Sequence, residues 1–310
     1  MKNILSILLL IISVAVSAQQ SPQYSQYSFN NFGYNPAFAG TTKCLDFRLG
    51  TRMQWVGFEG APRTMFVSAH KNFKGKHYRG KGFHAAGLYV EQDQLHLTSR
   101  NYVKLAYAYH MKATKKFMIS LGIFAGIQQY SVDNVFGNTN VDPVLVAASG
   151  SKIRYPDIMP GVLMYSKKAY YSFSINQLYF KNIQLGQEAT QVNQYIFGAG
   201  HKSNLGDWTM FKSFLLKWNV MGPPAIDLNL AWIYRRNISF GLGYRVGESV
   251  IANVRFRMFN ALAIGYAFDF PLNKIYGSYG HEIMLSFSTC GADGGLGGGK
   301  GKQKECAAYY

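Results

Sequence analysis

From about residue 43 to 288, apolar side chains along this chain alternate with small or polar ones in runs of roughly ten residues. Phe240, Leu242, Tyr244 and Val246 fall on one face of their run, and Gly241, Gly243, Arg245 and Gly247 on the other. Leu262, Ile264, Tyr266, Phe268 and Phe270 oppose Ala263, Gly265, Ala267 and Asp269, and Ile283, Leu285 and Phe287 oppose Glu282, Met284 and Ser286. The same period of two runs through 45–55, 103–110 and 119–127, while 208–218 reads ambiguously. Successive side chains of a strand point to opposite faces, so this period predicts strands and is wrong for helices. An apolar face set against a polar one over such lengths is the pattern of a membrane barrel with a lipid side and a lumen side. The fold predicted is all-β, a transmembrane antiparallel outer-membrane β-barrel of about fourteen strands, an even number that puts both barrel ends on one side of the membrane.

The connections give an independent check. If the N-terminus is periplasmic, the short turns at Ala113-Thr114, Lys167-Lys168, Arg236-Asn237 and Asn260-Ala261 all fall on the periplasmic side. The two longest connections, about Gln129 to Tyr155 and Tyr179 to Gln191, then fall outside, as such barrels require. A soluble β-sandwich or soluble barrel also alternates, but these outward faces would expose more apolar area than the few hundred Å² a soluble monomer tolerates.

Lys2, the apolar run Ile4 to Val16 and the small residues Ser17 and Ala18 have the layout of a cleavable secretory signal, with the mature chain starting at Gln19. No Cys follows the cleavage site, which argues against a lipid anchor, and no later apolar stretch reaches the ~20 residues of a membrane-spanning helix. The chain therefore divides into a signal segment (1–18), a leader placed in the lumen or on the periplasmic side (19–42), the barrel (43–288) and a flexible Gly- and Lys-rich tail (289–310).

The 22 Tyr, 22 Phe and 32 Gly suit strands and aromatic girdles. A net charge of +17 would invite a nucleic-acid partner, but Lys and Arg come as scattered pairs between apolar runs, so turns explain them and no nucleic acid is expected. The three cysteines have no CxxC pair; Cys290 and Cys306 could close a loop in the tail and leave Cys44 free, a pairing that spacing alone leaves open. The seven histidines show no HExxH spacing, and His281 and Glu282 fall on opposite faces, so neither a metal nor any other cofactor is expected. Asp93 with His96, or Asp133 with Asp142, could imitate the rim acids of barrel hydrolases, but no nucleophile elbow accompanies them and catalysis is not expected.

The lumen face of the last strands would hold Arg245, Arg255, Arg257, Asp269 and Glu282, with Arg48 and Arg52 brought near by closure onto the first strand. Each Arg at the bilayer midplane would cost about 2 to 4 kcal/mol, which excludes the lipid side. These residues form either an ion-pair network that plugs and rigidifies the barrel, the favoured reading, or a polar track for an acidic substrate segment. The Gly57, Gly60, Ala61, Pro62 turn is either plain turn chemistry or, with Trp55 and Phe58, an aromatic platform for a secreted partner. The leader carries Tyr24, Tyr27, Phe29, Phe32, Tyr34 and Phe38 among Asn, Gln and Ser, more aromatics than a disordered segment needs. It is expected to tuck into the lumen or cap the periplasmic mouth, anchored by Asn35-Pro36. Tyr24, Tyr27 and Phe29 are also candidate partner contacts.

SPQYSQYSFNNFGYNPAFAG (Ser21 to Gly40) resembles the N-terminal signature of the PorP/SprF family of outer-membrane proteins of type IX secretion. RMQWVGFEGAPRTMFVSAH (Arg52 to His70) is similar to the family's first strand pair, GIFAGIQQY (Gly122 to Tyr130) and Asp142-Pro143 to its middle, and AIGYAFDFPL with GHEIMLSFS to its closing hairpin. The segments come in the family's order and span nearly the whole mature chain. The resemblance implies an outer-membrane barrel of Bacteroidetes-type bacteria, set in outer-membrane lipid, that serves secretion, surface attachment or gliding-related export of large adhesins. It implies periplasmic components of the type IX machine and the C-terminal domain of a secreted adhesin as partners, and no catalysis. A diffusive or substrate-specific porin is the rival reading. One departure is the tail that follows Phe287, where the last strand would be expected to end the protein.

Overall fold

The structure is a computed structural model that describes residues 22–42, 44–73, 82–133, 149–178, 192–220, 222–258, 261–272 and 279–289. The expected signal segment, the tail beyond Thr289, Asp142-Pro143 and most of the two long connections lie outside the described residues.

Fourteen antiparallel strands close into one barrel. In chain order they are β1 (Asp46–Met53), β2 (Arg63–Phe73), β3 (Gly82–Leu95), β4 (Thr98–Lys112), β5 (Met118–Val132), β6 (Lys152–Tyr165), β7 (Ala169–Asn176), β8 (Gln194–Leu205), β9 (Trp208–Asn219), β10 (Ala225–Tyr234), β11 (Ile238–Arg245), β12 (Ser249–Met258), β13 (Leu262–Pro271) and β14 (Gly280–Ser288). Each strand pairs with its sequence neighbours, and β1 pairs with β14 from Asp46↔Ser288 to Met53↔His281, so no edge is left open.

Apolar side chains outside an enclosed polar face fit a membrane rather than water. Leu105, Leu121, Ile127, Phe240 and Leu242 are exposed outward, whereas Lys104, Ser120, Gln128, Ser239 and Arg245, one position away on the same strands, are buried inward. Among the described residues no helix is long and apolar enough to cross a membrane. Aromatic pairs stand near both ends of the strands, such as Trp208 with Tyr234 at 4.9 Å and Tyr195 with Trp218 at 5.9 Å.

The ambiguous stretch is β9. Its inward face carries Phe211 and Leu215, while Lys212 points outward, so polarity does not alternate as it does elsewhere. Phe211 stacks on Tyr170 of β7 inside the barrel, so the inner face of β9 is partly apolar.

We call the barrel end at Asp46 and Ser288 the near end, and the end at Met53 and Gly280 the far end. The turns at 113–117, 166–168 and 235–237 lie at the near end, and the strand ends at Val132, Lys152, Asn176 and Gln194 lie at the far end. Residues 22–42 run inside the barrel, from Tyr24 beside far-end residues of β3 and β11 to Ala39 and Gly40 beside near-end residues of β4 and β2. A 3-10 turn (Tyr27–Phe29), one α-helical turn (α1, Asn31–Tyr34) and a second 3-10 turn (Pro36–Phe38) make the leader compact.

Candidate functional site: the filled lumen

The leader packs its six rings against the wall. Phe32 meets His70 at 4.8 Å and Phe124 at 5.0 Å, Tyr24 meets Phe66 at 5.2 Å, and Phe38 meets Tyr170 at 5.5 Å. All six are buried, so each contributes on the order of 1.5–3 kcal/mol of transfer free energy on seating. Two wall glycines make the fit possible. A Cβ at Gly122 would collide with the backbone of Ala37, and one at Gly161 with the Asn35 side chain.

Asn35 pins this half of the leader. Its Oδ1 accepts from Ala37 N–H at 2.9 Å, capping the second 3-10 turn, and its Nδ2 donates to the carbonyls of Val162 and Phe173 at 3.0 Å each. Ser174 Oγ donates to the Tyr34 carbonyl at 2.7 Å, and His110 Nε2 lies 2.7 Å from the Ala39 carbonyl.

The other half is seated by charge. Glu282 accepts the backbone N–H groups of Ser25 (2.7 Å) and Gln26 (2.8 Å), one on each oxygen, and Asp269 Oδ2 accepts from Ser25 Oγ at 2.7 Å. Arg52 bridges both acids, at 2.5 Å to Asp269 and 3.5 Å to Glu282, and donates to Ser25 Oγ. Arg245 pairs with Asp227 at 2.6 Å and reaches Asp269 at 3.9 Å, Glu248 at 3.5 Å and the Tyr24 carbonyl at 3.4 Å. At the near end Arg48 pairs with Asp46 at 2.6 Å and donates to the Phe29 carbonyl. Its guanidinium and that of Arg255 stand 5.2 and 4.3 Å from the Phe29 ring centroid, two cation–π contacts on one side chain.

Of the seven expected network residues, Arg52, Arg245, Asp269 and Glu282 meet in one cluster. Arg48 and Arg255 instead share Phe29, and Arg257 is half-buried near the end of β12. The carboxylate partners Asp46 and Asp227 were not anticipated, nor was the group formed by Glu91 with the hydroxyls of Tyr24 (2.7 Å) and Tyr89 (2.6 Å). Burial, and then Glu91, hold the Tyr24 hydroxyl well above its ordinary range, so it stays a donor. Lys104 with Asp157 at 2.6 Å was missed as well. The available signal was a charged residue at the inward position between two outward apolar ones, as Lys104 is between Val103 and Leu105.

Three expectations are corrected. Tyr24, Tyr27 and Phe29, proposed as partner contacts, are 2% exposed inside the barrel and offer an outside partner nothing, because their rings are spent on packing. Cys44 is disulfide-bonded, not free; both other cysteines lie outside the described residues. Trp55 is not the last outward residue of β1 but stands in the following connection with φ of 53°. There Trp55, Val56 and Phe58 are exposed, on a loop tied by Val56 N–H to the Tyr279 carbonyl at 3.1 Å and by His96 N–H to the Gly60 carbonyl at 3.0 Å. Asp93 accepts from Thr64 Oγ1 at 2.7 Å, and His281 faces outward to the Tyr266 hydroxyl at 2.8 Å, on the face opposite Glu282.

Comparison with known proteins adds the family. Residues 16–287 match the family described as type IX secretion system membrane protein PorP/SprF. No curated protein matches the chain. Among solved structures, a TodX deltaS2S3 mutant monoaromatic hydrocarbon channel is similar at 9% identity, covering 82% of this chain and 92% of that one with a TM-score of 0.50. The Ralstonia pickettii toluene transporter TbuX is similar at 10% identity, covering 83% and 92%, also with a TM-score of 0.50. At these identities the likeness is one of barrel fold alone.

Proposed function

Because the chain belongs to the PorP/SprF family of type IX secretion system membrane proteins, we propose that it works in the outer membrane as a non-catalytic component that anchors or guides secreted cargo, large adhesins in particular, at the cell surface. The observation that carries this reading is the filled lumen. A porin needs an open aqueous bore, and here the leader occupies the bore with rings, held by ion pairs and hydrogen bonds from β1, β3, β10, β11, β13 and β14. In this reading the lumen network plugs and rigidifies, and recognition belongs to the ends of the barrel.

With the near end in the periplasm, the turns there face the periplasmic components of the machine. The far-end loop of Trp55 and Phe58 faces the C-terminal domain of the cargo. The signal segment delivers the chain, so N-terminal sequencing of the protein from outer membranes should begin at Gln19.

Affinity purification from outer membranes after mild crosslinking tests the assignment, with type IX components and an adhesin expected among the captured proteins. Their absence, or a large stable conductance in planar bilayers, would count for the porin instead. Deleting residues 19–33 should lower the temperature of heat modification or abolish capture; unchanged values of both would remove the leader from the account.

A further inference from the structure

The outer wall carries charge selectively. Every Asp and Glu on a described strand points into the lumen, Asp93 included, which stands opposite the buried Thr64. Outward-pointing cations keep to the ends of strands: Arg63 and Lys71 on β2, and Lys152 and Arg154 on β6, each lie within two positions of an end. Among the described residues the exception is Lys212. It is exposed on the lipid face of β9, on the side of Met210 and Phe214, while Phe211 and Ser213 next to it are buried inward.

The aromatic pairs at the two ends of β9 give its depth. Trp208, against Tyr234, and Trp218, against Tyr195, are both exposed and stand ten positions apart. At about 3.3 Å per residue and a strand tilt of about 40° this spans about 25 Å, the height of an outer-membrane apolar band. Lys212 is four positions from Trp208, so it lies about 10 Å inside the near-end girdle by the same geometry. A cation at that depth in lipid is costly, and no strand carboxylate is on its side of the wall to offset it. Asp207, in the turn before β9, is taken by Arg235 at 2.9 Å.

The surroundings of Lys212 are hydrogen-bonding groups arranged toward the near end. Lys212 stands directly across the β8–β9 ladder from His201, which is exposed and whose Nδ1 lies 3.3 Å from Ser203 Oγ. Ser203 is on the same outward face, two positions nearer the rim. At the rim the 166–168 turn carries the exposed Lys167 and Lys168 and is tied to β8, the Lys168 carbonyl accepting Lys202 N–H at 2.7 Å. Arg236 is exposed in the 235–237 turn. A lysine stem lies along apolar surface while its ammonium reaches for polar ground, so Lys212 is directed up this track toward the rim.

The occupant must be an anion that reaches the wall from the lipid side. A second copy of the chain brings no strand carboxylate to the contact, because its own all point inward. A lipid phosphate brings a charge and acceptor oxygens at the level of the rim cations, and its acyl chains match the apolar wall below. We propose that Lys212, His201 and Ser203, with the cations of the 166–168 and 235–237 turns, form a docking site for an anionic phospholipid. The site rests on the barrel lying in a membrane and not on the anchoring reading, so it stands or falls whichever cargo the protein serves.

The test uses the full chain in nanodiscs made with equal amounts of phosphatidylglycerol and phosphatidylcholine, released in a mass spectrometer so that the lipids retained on the barrel can be counted. Phosphatidylglycerol should be retained in preference. Lys212→Gln keeps the length of the side chain nearly intact and touches no ladder bond. It should lower that preference about fivefold, which corresponds to the roughly 1 kcal/mol of one lysine at an anionic surface. Lys212→Arg should restore it, and Lys71→Gln, which removes an outward cation from β2, should leave it unchanged. Heat modification shows that each variant is folded. Equal retention of the two lipids by the wild type, or an equal loss in Lys71→Gln, would overturn the proposal. So would lipid preference unchanged in Lys212→Gln while crosslinking to another membrane protein is lost, which would give Lys212 a protein carboxylate as its partner.

Discussion

Glu282→Gln separates charge from packing as the force that seats the leader. The amide keeps the shape of the carboxylate, but only one of its two ends can accept, while the backbone N–H groups of Ser25 and Gln26 sit at 2.7 and 2.8 Å, one on each oxygen. One charge-assisted bond, worth about 1.5–3 kcal/mol, is lost, and a buried N–H is left facing a donor at a further cost of about 1–3 kcal/mol. Arg52 retains Asp269 at 2.5 Å, and no ladder hydrogen bond is touched, so the wall should stand. The seat should therefore weaken by about 2.5–6 kcal/mol, which at 1.4 kcal/mol per decade raises the unseated population by roughly two to four orders of magnitude. Single-channel recording reads this as transient openings in the variant against a silent wild type, and limited proteolysis as new cleavage in residues 22–42. Glu59→Gln, on an exposed residue of the 54–62 connection, is the control and should behave as wild type. If Glu282→Gln is as silent and as resistant as wild type, aromatic packing alone seats the leader and the charge argument is wrong.

The seat should fail from the other half as well. Gly122→Ala places a Cβ against the Ala37 backbone and should cost about 1–3 kcal/mol of overpacking, seen as a lower thermal midpoint, whereas Leu121→Ala on the lipid side should move it less. The ladder between β1 and β14 carries on to Thr289 N–H, which donates to the Leu45 carbonyl at 3.1 Å, so the residue after Thr289 is the next candidate to face Cys44. Non-reducing peptide mapping should join Cys44 to the peptide holding Cys290, and recovery of a Cys44–Cys306 peptide instead would refute that register argument. Trp55→Ala with Phe58→Ala should lower adhesin capture in crosslinking experiments while leaving the thermal midpoint within about 0.5 kcal/mol of wild type, because both side chains are exposed outside the strands. A collapse of the barrel would make them structural residues. Raising the salt to about 1 M should weaken contacts made by exposed charges and leave the leader seated, since screening reaches exposed charges far more than buried pairs; conductance appearing at high salt would contradict this.

The barrel was legible in the sequence because a wall between lipid and lumen imposes the same alternation on every strand. Leu242 and Tyr244 could not have shared a face with Arg245 without putting a cation in lipid. Where the pattern fails, at Phe211 and Leu215, the inward side chains are buried and apolar, Phe211 stacking on Tyr170 of β7. Alternation reports a difference between two environments, and β9 has nearly the same polarity on both sides. The leader's aromatics signalled burial but not a location, since a ring excluded from water can lie in the lumen or against a partner. The misplacement of Tyr24, Tyr27 and Phe29 follows from that ambiguity.

The lumen network was half legible, for a reason of chain distance. Arg48, Arg52, Arg245, Asp269 and Glu282 could each be assigned to the inner face from their own strand, but their pairings depend on how far β1 slides along β14 and on where residues 22–42 come to rest. Ser25 meets Glu282 across 257 positions of sequence, and no local pattern encodes that contact. The same fact explains why the charge of +17 misleads when taken as one number. Among the described residues six carboxylates are buried, and in the lumen they sit beside Arg48, Arg52, Lys104, Lys217 and Arg245, so the interior takes up carboxylates out of proportion to their number. The basic excess is left to the rest of the sequence. Within the lumen, the far end gathers carboxylates around Arg52 and Arg245 while the near end gathers Arg48 and Arg255 around Phe29. Charge in this chain is thus sorted by place, and the single total of +17 describes neither end of the lumen.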